Sequence, residues 1–205
     1  MKFLIADDHA IVRKGLSQIL CEEFPSAEVK EVSNSNEVLA AIEKQIWDVI
    51  LLDISMPGRN GIETLKQIRA NGVKAPILML SMHPEEQYAV RVLKAGASGF
   101  LNKESATEEL LVAIHKVLSG RKYITSSVAE ILAESSTEKP PYELLSDREM
   151  QVLQLIASGK TVSEIAEEIS LSVNTISTYR TRILEKLNLN NNAELTRYAI
   201  DNDLC

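Results

Sequence analysis

What this chain lacks narrows it first. It has 2 cysteines in 205 residues, Cys21 in a helix-like segment and Cys205 at the last position. Neither stands at a metal-ligand or redox spacing, so a disulfide scaffold, a zinc finger and a CxxC oxidoreductase are excluded. Unpaired cysteines suit a reducing cytoplasm, the expected compartment. No apolar run approaches the ~20 residues that span a bilayer. Met1-Lys2 leads straight into a strand-like segment, without the longer apolar region and cleavage site of a secretion signal. No membrane partner is expected. The chain also lacks a basic domain. Residues 1–125 carry 15 basic and 16 acidic residues, 126–143 carry 1 and 4, and 144–205 carry 6 and 9. Any nucleic-acid binding must therefore rest on a local patch.

The apolar residues that remain are strongly patterned. Strand-like runs lie at 2–6, 28–33, 49–53, 76–81 and 99–102, and helical spacing separates them. Its apolar positions are Ile11, Leu16, Ile19 and Leu20, then Val38, Leu39 and Ile42, then Ile62, Leu65 and Ile68, with two more helices at 87–95 and 106–118. Gly96 and Gly120 stop the last two. Alternation of this kind predicts a parallel sheet covered on both faces, in an α/β domain. Such sheets carry their chemistry at the carboxyl ends of the strands.

Four polar features fall at those ends: Asp7-Asp8, Asp53, Ser81 and Lys103. Taken singly each has a bland reading, as a helix cap, a turn former or a solvated lysine. Their coincidence is what points to a site. Three carboxylates at one edge repel one another, and a hard divalent cation such as Mg²⁺ relieves that repulsion. A carboxylate beside the ion can attack a phosphoryl donor and become an acyl phosphate. A lysine ammonium offsets the charge on the transferred group, and the Ser81 hydroxyl can hydrogen-bond it. Ser55 and His83, two residues beyond Asp53 and Ser81, are expected to flank that group. His83 is then a candidate for setting its lifetime, against a plain surface role.

The motifs Ile-Ala-Asp7-Asp8-His, Leu-Leu-Asp53-Ile-Ser-Met-Pro57-Gly58, Leu-Ser81 and Gly-Phe100-Leu-Asn-Lys103 make residues 1–120 resemble a two-component receiver domain, a five-stranded flavodoxin-like (βα)5 fold. The resemblance implies that Asp53 is the phosphoacceptor. It implies that Asp8 and Asp53 bind Mg²⁺ with the Ser55 backbone carbonyl, Asp7 helping through water, and that Ser81 and Lys103 grip the phosphoryl group. Phe100 takes the place of the aromatic switch residue, often Tyr in relatives, and is expected to rotate inward with Ser81 on phosphorylation. Ser81 replaces the commoner Thr and keeps the hydroxyl.

Three regions are expected: 1–122, a linker with a short helix at 123–143, and 144–205. In the linker, Ser135 to Pro141 is polar with two prolines and reads as an extended hinge. Beyond it the chain reads as all-α. Ser146-Asp-Arg-Glu149 is a capping box before Met150, Leu153 and Ile156. A short helix holding Val162, Ile165 and Ala166 is joined by Ser170-Leu-Ser172 to a third helix running to about Leu187. Two helices about a tight turn suggest a helix-turn-helix, although hairpins of this kind often bind nothing. Helical spacing puts Ile176, Ile183 and Leu187 on the core side of the third helix and Asn174, Thr178, Thr181 and Glu185 opposite, with Ser177 and Arg182 flanking. Short hydroxyl and amide side chains can approach base edges closely, and Arg182 and Lys186 at the border suit phosphates. Arg180, nearer the core, is expected to place its head at a phosphate or an acidic neighbour.

Residues 144–205 resemble a LuxR-type DNA-binding domain through Leu145-Ser-Asp-Arg-Glu149, Ile156-Ala-Ser-Gly159-Lys-Thr-Val-Ser-Glu-Ile165-Ala166, Ser172-Val-Asn-Thr175-Ile176-Ser-Thr-Tyr-Arg180 and Ile183-Leu-Glu-Lys186-Leu187. The resemblance implies that Lys160, Thr161 and Thr175 touch the DNA backbone, that Ser177, Thr178 and Thr181 face the groove, and that Leu189, Ala193, Glu194 and Arg197 help pair two domains. Ser177 and Asn192 stand where many relatives carry Lys and Arg, which predicts weak monomer affinity. Together the two resemblances have the order of NarL/FixJ-type response regulators. They imply a phosphorylation-controlled transcription factor with a sensor histidine kinase or small phosphodonor, promoter DNA and a homodimer as partners. No enzymatic activity is expected beyond self-phosphorylation and self-dephosphorylation.

Overall fold

In the computed structural model, which describes residues 1–57, 59–82, 85–134, 141–202 and 204 (backbone only for 86, 87, 106–108, 133 and 134), the chain forms two compact units, Met1–Glu134 and Ser135–Cys205. The first unit alternates strands and helices as its sequence periodicity predicts: β1 (Lys2–Ala6), α1 (Ala10–Glu23), β2 (Glu28–Val32), α2 (Ser35–Lys44), β3 (Val49–Asp53), α3 (Gly61–Ala70), β4 (Ile77–Ser81), α4 (Glu85–Lys94), β5 (Gly99–Asn102) and α5 (Ala106–Leu118). All strand pairs are parallel, in the order β2-β1-β3-β4-β5. This is the flavodoxin-like order, and its direction reverses between β1 and β3, where open sheets of this type bind ligands.

Both faces of the sheet are covered, so the inner strands are apolar throughout rather than alternating. Leu4, Ile50, Leu52 and Met79 pack on one face with α2, α3 and α4, while Phe3, Ile5, Leu51 and Leu80 pack on the other with α1 and α5. Gly96 and Gly120 end their helices at positive φ, as their place in the sequence suggests.

The stretch expected to open the linker packs with the first unit instead. Helix α6 (Ser126–Glu134) buries Val128 in the core that holds Phe100, Tyr88 and Ala89, with Leu132 against it. Glu85, the first residue of α4, accepts hydrogen bonds from Thr125 Oγ1 (2.8 Å) and from Ser127 Oγ at the start of α6. Of the expected hinge, residues 135–140 lie outside the described residues, and Pro141–Leu144 is a short 3₁₀ turn.

The second unit holds α7 (Asp147–Ala157), α8 (Val162–Glu168), α9 (Val173–Leu187) and α10 (Asn192–Asp201) around one apolar cluster of Met150, Leu153, Ile165, Ile176, Ile183 and Leu195. The Ser146–Glu149 capping box is formed, and a second one, Thr161 with Glu164, starts α8. Ser170 takes a left-handed conformation (φ 55°) and turns the chain between α8 and α9; Ser172 Oγ then accepts from the Thr175 amide at 3.1 Å. No helix among the described residues is long and apolar enough to cross a membrane.

Candidate functional site

Strand register places the charged residues. Asp53 ends β3 opposite Leu80, and Ser81 ends β4 opposite Asn102. The Lys103 amide donates to the Ser81 carbonyl at 2.8 Å, extending that ladder by one residue. Asp7 follows β1, its amide donating to the Val32 carbonyl at 3.2 Å. These neighbouring strand ends bring Asp7, Asp8, Asp53, Ser81 and Lys103 to one edge of the sheet.

Within that edge, Lys103 Nζ lies 2.7 Å from Asp7 Oδ2 and 3.0 Å from Asp53 Oδ2, all three side chains being buried. Asp53 Oδ1 is also buried and makes no hydrogen bond of full geometry among the described residues, although the Ser55 backbone amide lies close enough to the carboxylate to lower its pKa. Ligand atoms of Asp7, Asp8, His9 and Asp53 all lie within 4.8 Å of one another. Burial pushes the Asp53 carboxyl up to about 6; Lys103 pulls it down and Asp7 pushes it further up. Burial alone would lower the Lys103 ammonium, but the Asp53 and Asp7 carboxylates outweigh it and raise its pKa. Three carboxylates thus face one ammonium. An oxygen-rich, net negative pocket with an orphaned carboxylate oxygen fits a hard divalent cation.

The loop after Asp53 is held from below. Ile54 and Met56 are buried while Ser55 and Pro57 face outward. Ser35 Oγ donates to the Arg59 carbonyl at 2.5 Å, and Thr64 Oγ1 lies 2.8 Å from Ser35 Oγ and 2.9 Å from the Asn60 carbonyl. Gly61 sits so close beneath β3 that a Cβ there would stand 1.9 Å from the Asp53 carbonyl oxygen. Neither this hydroxyl pair nor the role of the glycine is marked by the local sequence pattern.

Phe100 is 3% exposed and packs in the core shared with α4 and α6. His83 lies outside the described residues.

In the second unit the exposed face of α9 is as its periodicity predicts: Asn174, Ser177, Thr178, Thr181, Arg182 and Glu185 are exposed, and Ile176, Ile183 and Leu187 are buried. The Thr178 and Thr181 hydroxyls donate to the carbonyls of Asn174 (2.9 Å) and Ser177 (3.1 Å), leaving their acceptor lone pairs and methyls outward. Thr175 Oγ1 is 2.7 Å from Ser172 Oγ, and Thr161 Oγ1 donates to Glu164 at 2.7 Å. Arg182 makes no hydrogen bond or ion pair among the described residues.

Two basic residues of α9 have partners within the second unit. Lys186, expected at a phosphate, lies 2.6 Å from Glu149 Oε2 and donates to the Leu144 carbonyl at 3.2 Å. Glu149 is 3% exposed, and a buried carboxylate draws the Lys186 ammonium. Arg180, expected to place its head at a phosphate or an acid, donates to the side-chain oxygen of Asn192. Lys160 pairs with Glu168. In α10, Ala193 and Arg197 are exposed, Glu194 caps the helix start by accepting from the Asn190 amide at 2.8 Å, and Leu189 is half-buried in the core. Ile200, 59% exposed, lies on the same face as Ala193 and Arg197 and was not foreseen.

A parallel sheet with an acidic pocket at its switch point, followed by a helix-turn-helix unit, defines a signal-receiving module joined to a DNA-binding one. Comparison with known proteins agrees. The response regulator receiver domain family matches residues 3–115, and the bacterial regulatory proteins of the luxR family match residues 143–199. Response regulator UvrY of Escherichia coli K12 is 37% identical over 98% of this chain and 94% of its own. Oxygen regulatory protein NreC of Staphylococcus epidermidis is 37% identical over 100% and 99%. Among solved structures, RcsB from Salmonella enterica serovar Typhimurium bound to promoter rprA with the phosphomimetic BeF₃⁻ is similar, with a TM-score of 0.67 and 29% identity over 97% of this chain and 98% of that one. The chain belongs to the response regulators of two-component systems, with a receiver domain and a LuxR-type helix-turn-helix domain for transcription regulation.

Proposed function

We propose that Asp53 accepts a phosphoryl group and that this changes the occupancy of promoter DNA by the second unit. The observation that carries the reading is the buried Asp53 carboxylate at the end of the central strand, with Oδ1 unpartnered and Lys103 Nζ 3.0 Å from Oδ2. The donor is a sensor histidine kinase or a small acyl phosphate. Asp53 attacks the donor phosphorus; its oxygen–phosphorus bond forms as the donor's bond breaks, and that electron pair leaves with the donor. Lys103, already paired with Asp53 and Asp7, stays beside the transferred group and offsets its charge. The Ser81 hydroxyl hydrogen-bonds a phosphoryl oxygen. Asp8, Asp53 and the Ser55 backbone carbonyl would hold Mg²⁺, with Asp7 assisting through water; when bound, the ion offsets charge on the phosphoryl oxygens. Water later hydrolyses the acyl phosphate and restores the carboxylate, so the chain carries out its own phosphorylation and dephosphorylation.

Transmission follows the elements nearest Ser81. α4 begins four residues later, and its Glu85 holds Thr125 and Ser127 at the start of α6, the helix that leads toward the second unit. Phe100 and Val128 share the same core, so a shift of Ser81 and the first turn of α4 is felt at α6. On DNA, the exposed α9 residues Asn174, Ser177, Thr178 and Thr181 face the major groove, and Arg182, Thr175, Thr161 and Lys160 lie near phosphates. Lys186 reaches a phosphate only by leaving Glu149. Ala193, Arg197 and Ile200 on α10 form the face for pairing two copies on adjacent half-sites.

Gel shifts of the full chain on promoter fragments, with and without acetyl phosphate and Mg²⁺, test the reading alongside Asp53→Ala. Acetyl phosphate tightens binding by the wild type and has no effect on the variant. DNA binding indifferent to both treatments would overturn it.

A further inference from the structure

His9 does not act as a side-chain helix cap. It is the N-cap of α1, where Ser, Thr, Asp and Asn satisfy free helix amides, yet its side chain makes no capping hydrogen bond. No acidic residue in the first turn compensates. The imidazole turns to the acidic pocket instead: Nδ1 lies 2.6 Å from Asp8 Oδ1 and 3.3 Å from Asp7 Oδ1, while the His9 backbone amide donates to Asp7 Oδ1 at 2.8 Å. Its nitrogen belongs to the same cluster as the three carboxylates, with all donor atoms within 4.8 Å of one another. Two donors at about 2.1 Å from one ion stand at most about 4.2 Å apart, so the widest pair has to close by at most about 0.6 Å, and His9 Nδ1 and Asp8 Oδ1 exchange their contact with each other for contact with the ion.

We propose that His9 is a nitrogen ligand of this site and shifts its preference from Mg²⁺ toward borderline divalent ions, Mn²⁺ above all. This rests on the reading of the acidic pocket as a divalent site. Mg²⁺ prefers oxygen donors and keeps its waters, whereas imidazole strengthens binding of first-row transition ions. The buried, unpartnered Asp53 Oδ1 and the buried Asp7 supply the oxygen side of the set. His9 is 63% exposed, so its ring can turn about its side-chain bonds without opening the core.

Mn²⁺ titration of the full chain, followed by loss of the free-ion electron paramagnetic resonance signal, gives affinities for the wild type, His9→Ala, His9→Gln and Asp53→Asn. Pulsed spectra of the bound ion report imidazole ¹⁴N coupling directly, and competition with Mg²⁺ gives the selectivity. The wild type should show the coupling. His9→Ala and His9→Gln should lose it and bind Mn²⁺ about tenfold more weakly, with Mg²⁺ affinity changed less than about threefold. Bound Mn²⁺ without imidazole coupling, or coupling that survives both His9 variants, overturns the assignment; His9 then only steadies the Asp8 carboxylate. If the wild type binds no Mn²⁺, or Asp53→Asn binds it equally well, the pocket reading fails as well.

Discussion

Replacing Asp53 with Asn should stabilise the first unit when no divalent ion is present, and the gain should depend on pH. The Asp53 carboxyl titrates at about 6 in the folded chain against an ordinary 3.8, chiefly because it is buried. The folded state therefore holds its proton more tightly than the unfolded state does. Stability from this group is fully present below about pH 3.8 and is lost as pH rises through about 6. A shift of roughly two units corresponds to about 3 kcal/mol withheld at neutral pH. Asn removes the ionised form, and Lys103 keeps its partner Asp7 at 2.7 Å. The assay is urea unfolding in EDTA at pH 4.5 and 7.5, followed by fluorescence of Trp47, the single tryptophan, which is buried in the first unit's core. Asp53→Asn should unfold about 2–3 kcal/mol later than the wild type at pH 7.5 and only about 1 kcal/mol later at pH 4.5. Mg²⁺ at a hundredfold above its Kd should add about 2.7 kcal/mol to the wild type alone. A destabilised Asn variant at pH 7.5, or a gain that does not shrink toward pH 4.5, refutes the reasoning.

Other sites lend themselves to single measurements. Gly61→Ala drives a methyl to 1.9 Å from the Asp53 carbonyl, so it should lower the Trp47-monitored midpoint by the equivalent of about 2–3 kcal/mol; an unchanged midpoint would mean that the α3 start shifts freely. Lys186→Gln leaves Glu149 buried without its ammonium and should cost about 1–2 kcal/mol in the second unit, read by amide hydrogen exchange of α7 and α9. The same variant should leave the salt dependence of DNA binding unchanged, whereas Arg182→Gln should reduce its slope by about one. Asn188→Gly should slow exchange at the end of α9 by the equivalent of about 0.5–1 kcal/mol, because Asn188 holds a left-handed conformation at φ 54°; faster exchange would show that the Asn side chain contributes more than its backbone strain.

Much of this was legible in the sequence because it depends on short-range pattern. Apolar runs ending in Asp7, Asp53 and Ser81 announce buried parallel strands with polar ends, and helical spacing in α9 sorts Ile176 and Ile183 from Thr178 and Thr181 with no knowledge of their neighbours. The short motifs around those positions are specific enough to carry the family, and the Ser146–Glu149 box is local by construction.

Other features needed the fold, since each depends on what lies opposite in space. Lys186 and Arg182 look alike along the chain; only packing of α9 against α7 brings buried Glu149 to one and leaves the other in solvent. Arg180 meets Asn192 because α10 returns beside α9. Phe100 lies inside because α6, read as linker, folds back onto α4 and closes the core over it. Asp53 itself shows the division most sharply. Its place at a strand end is set by a local apolar run, but its raised pKa, its unpartnered oxygen and its 3.0 Å approach to Lys103 arise from non-neighbouring strands in register and the burial they impose.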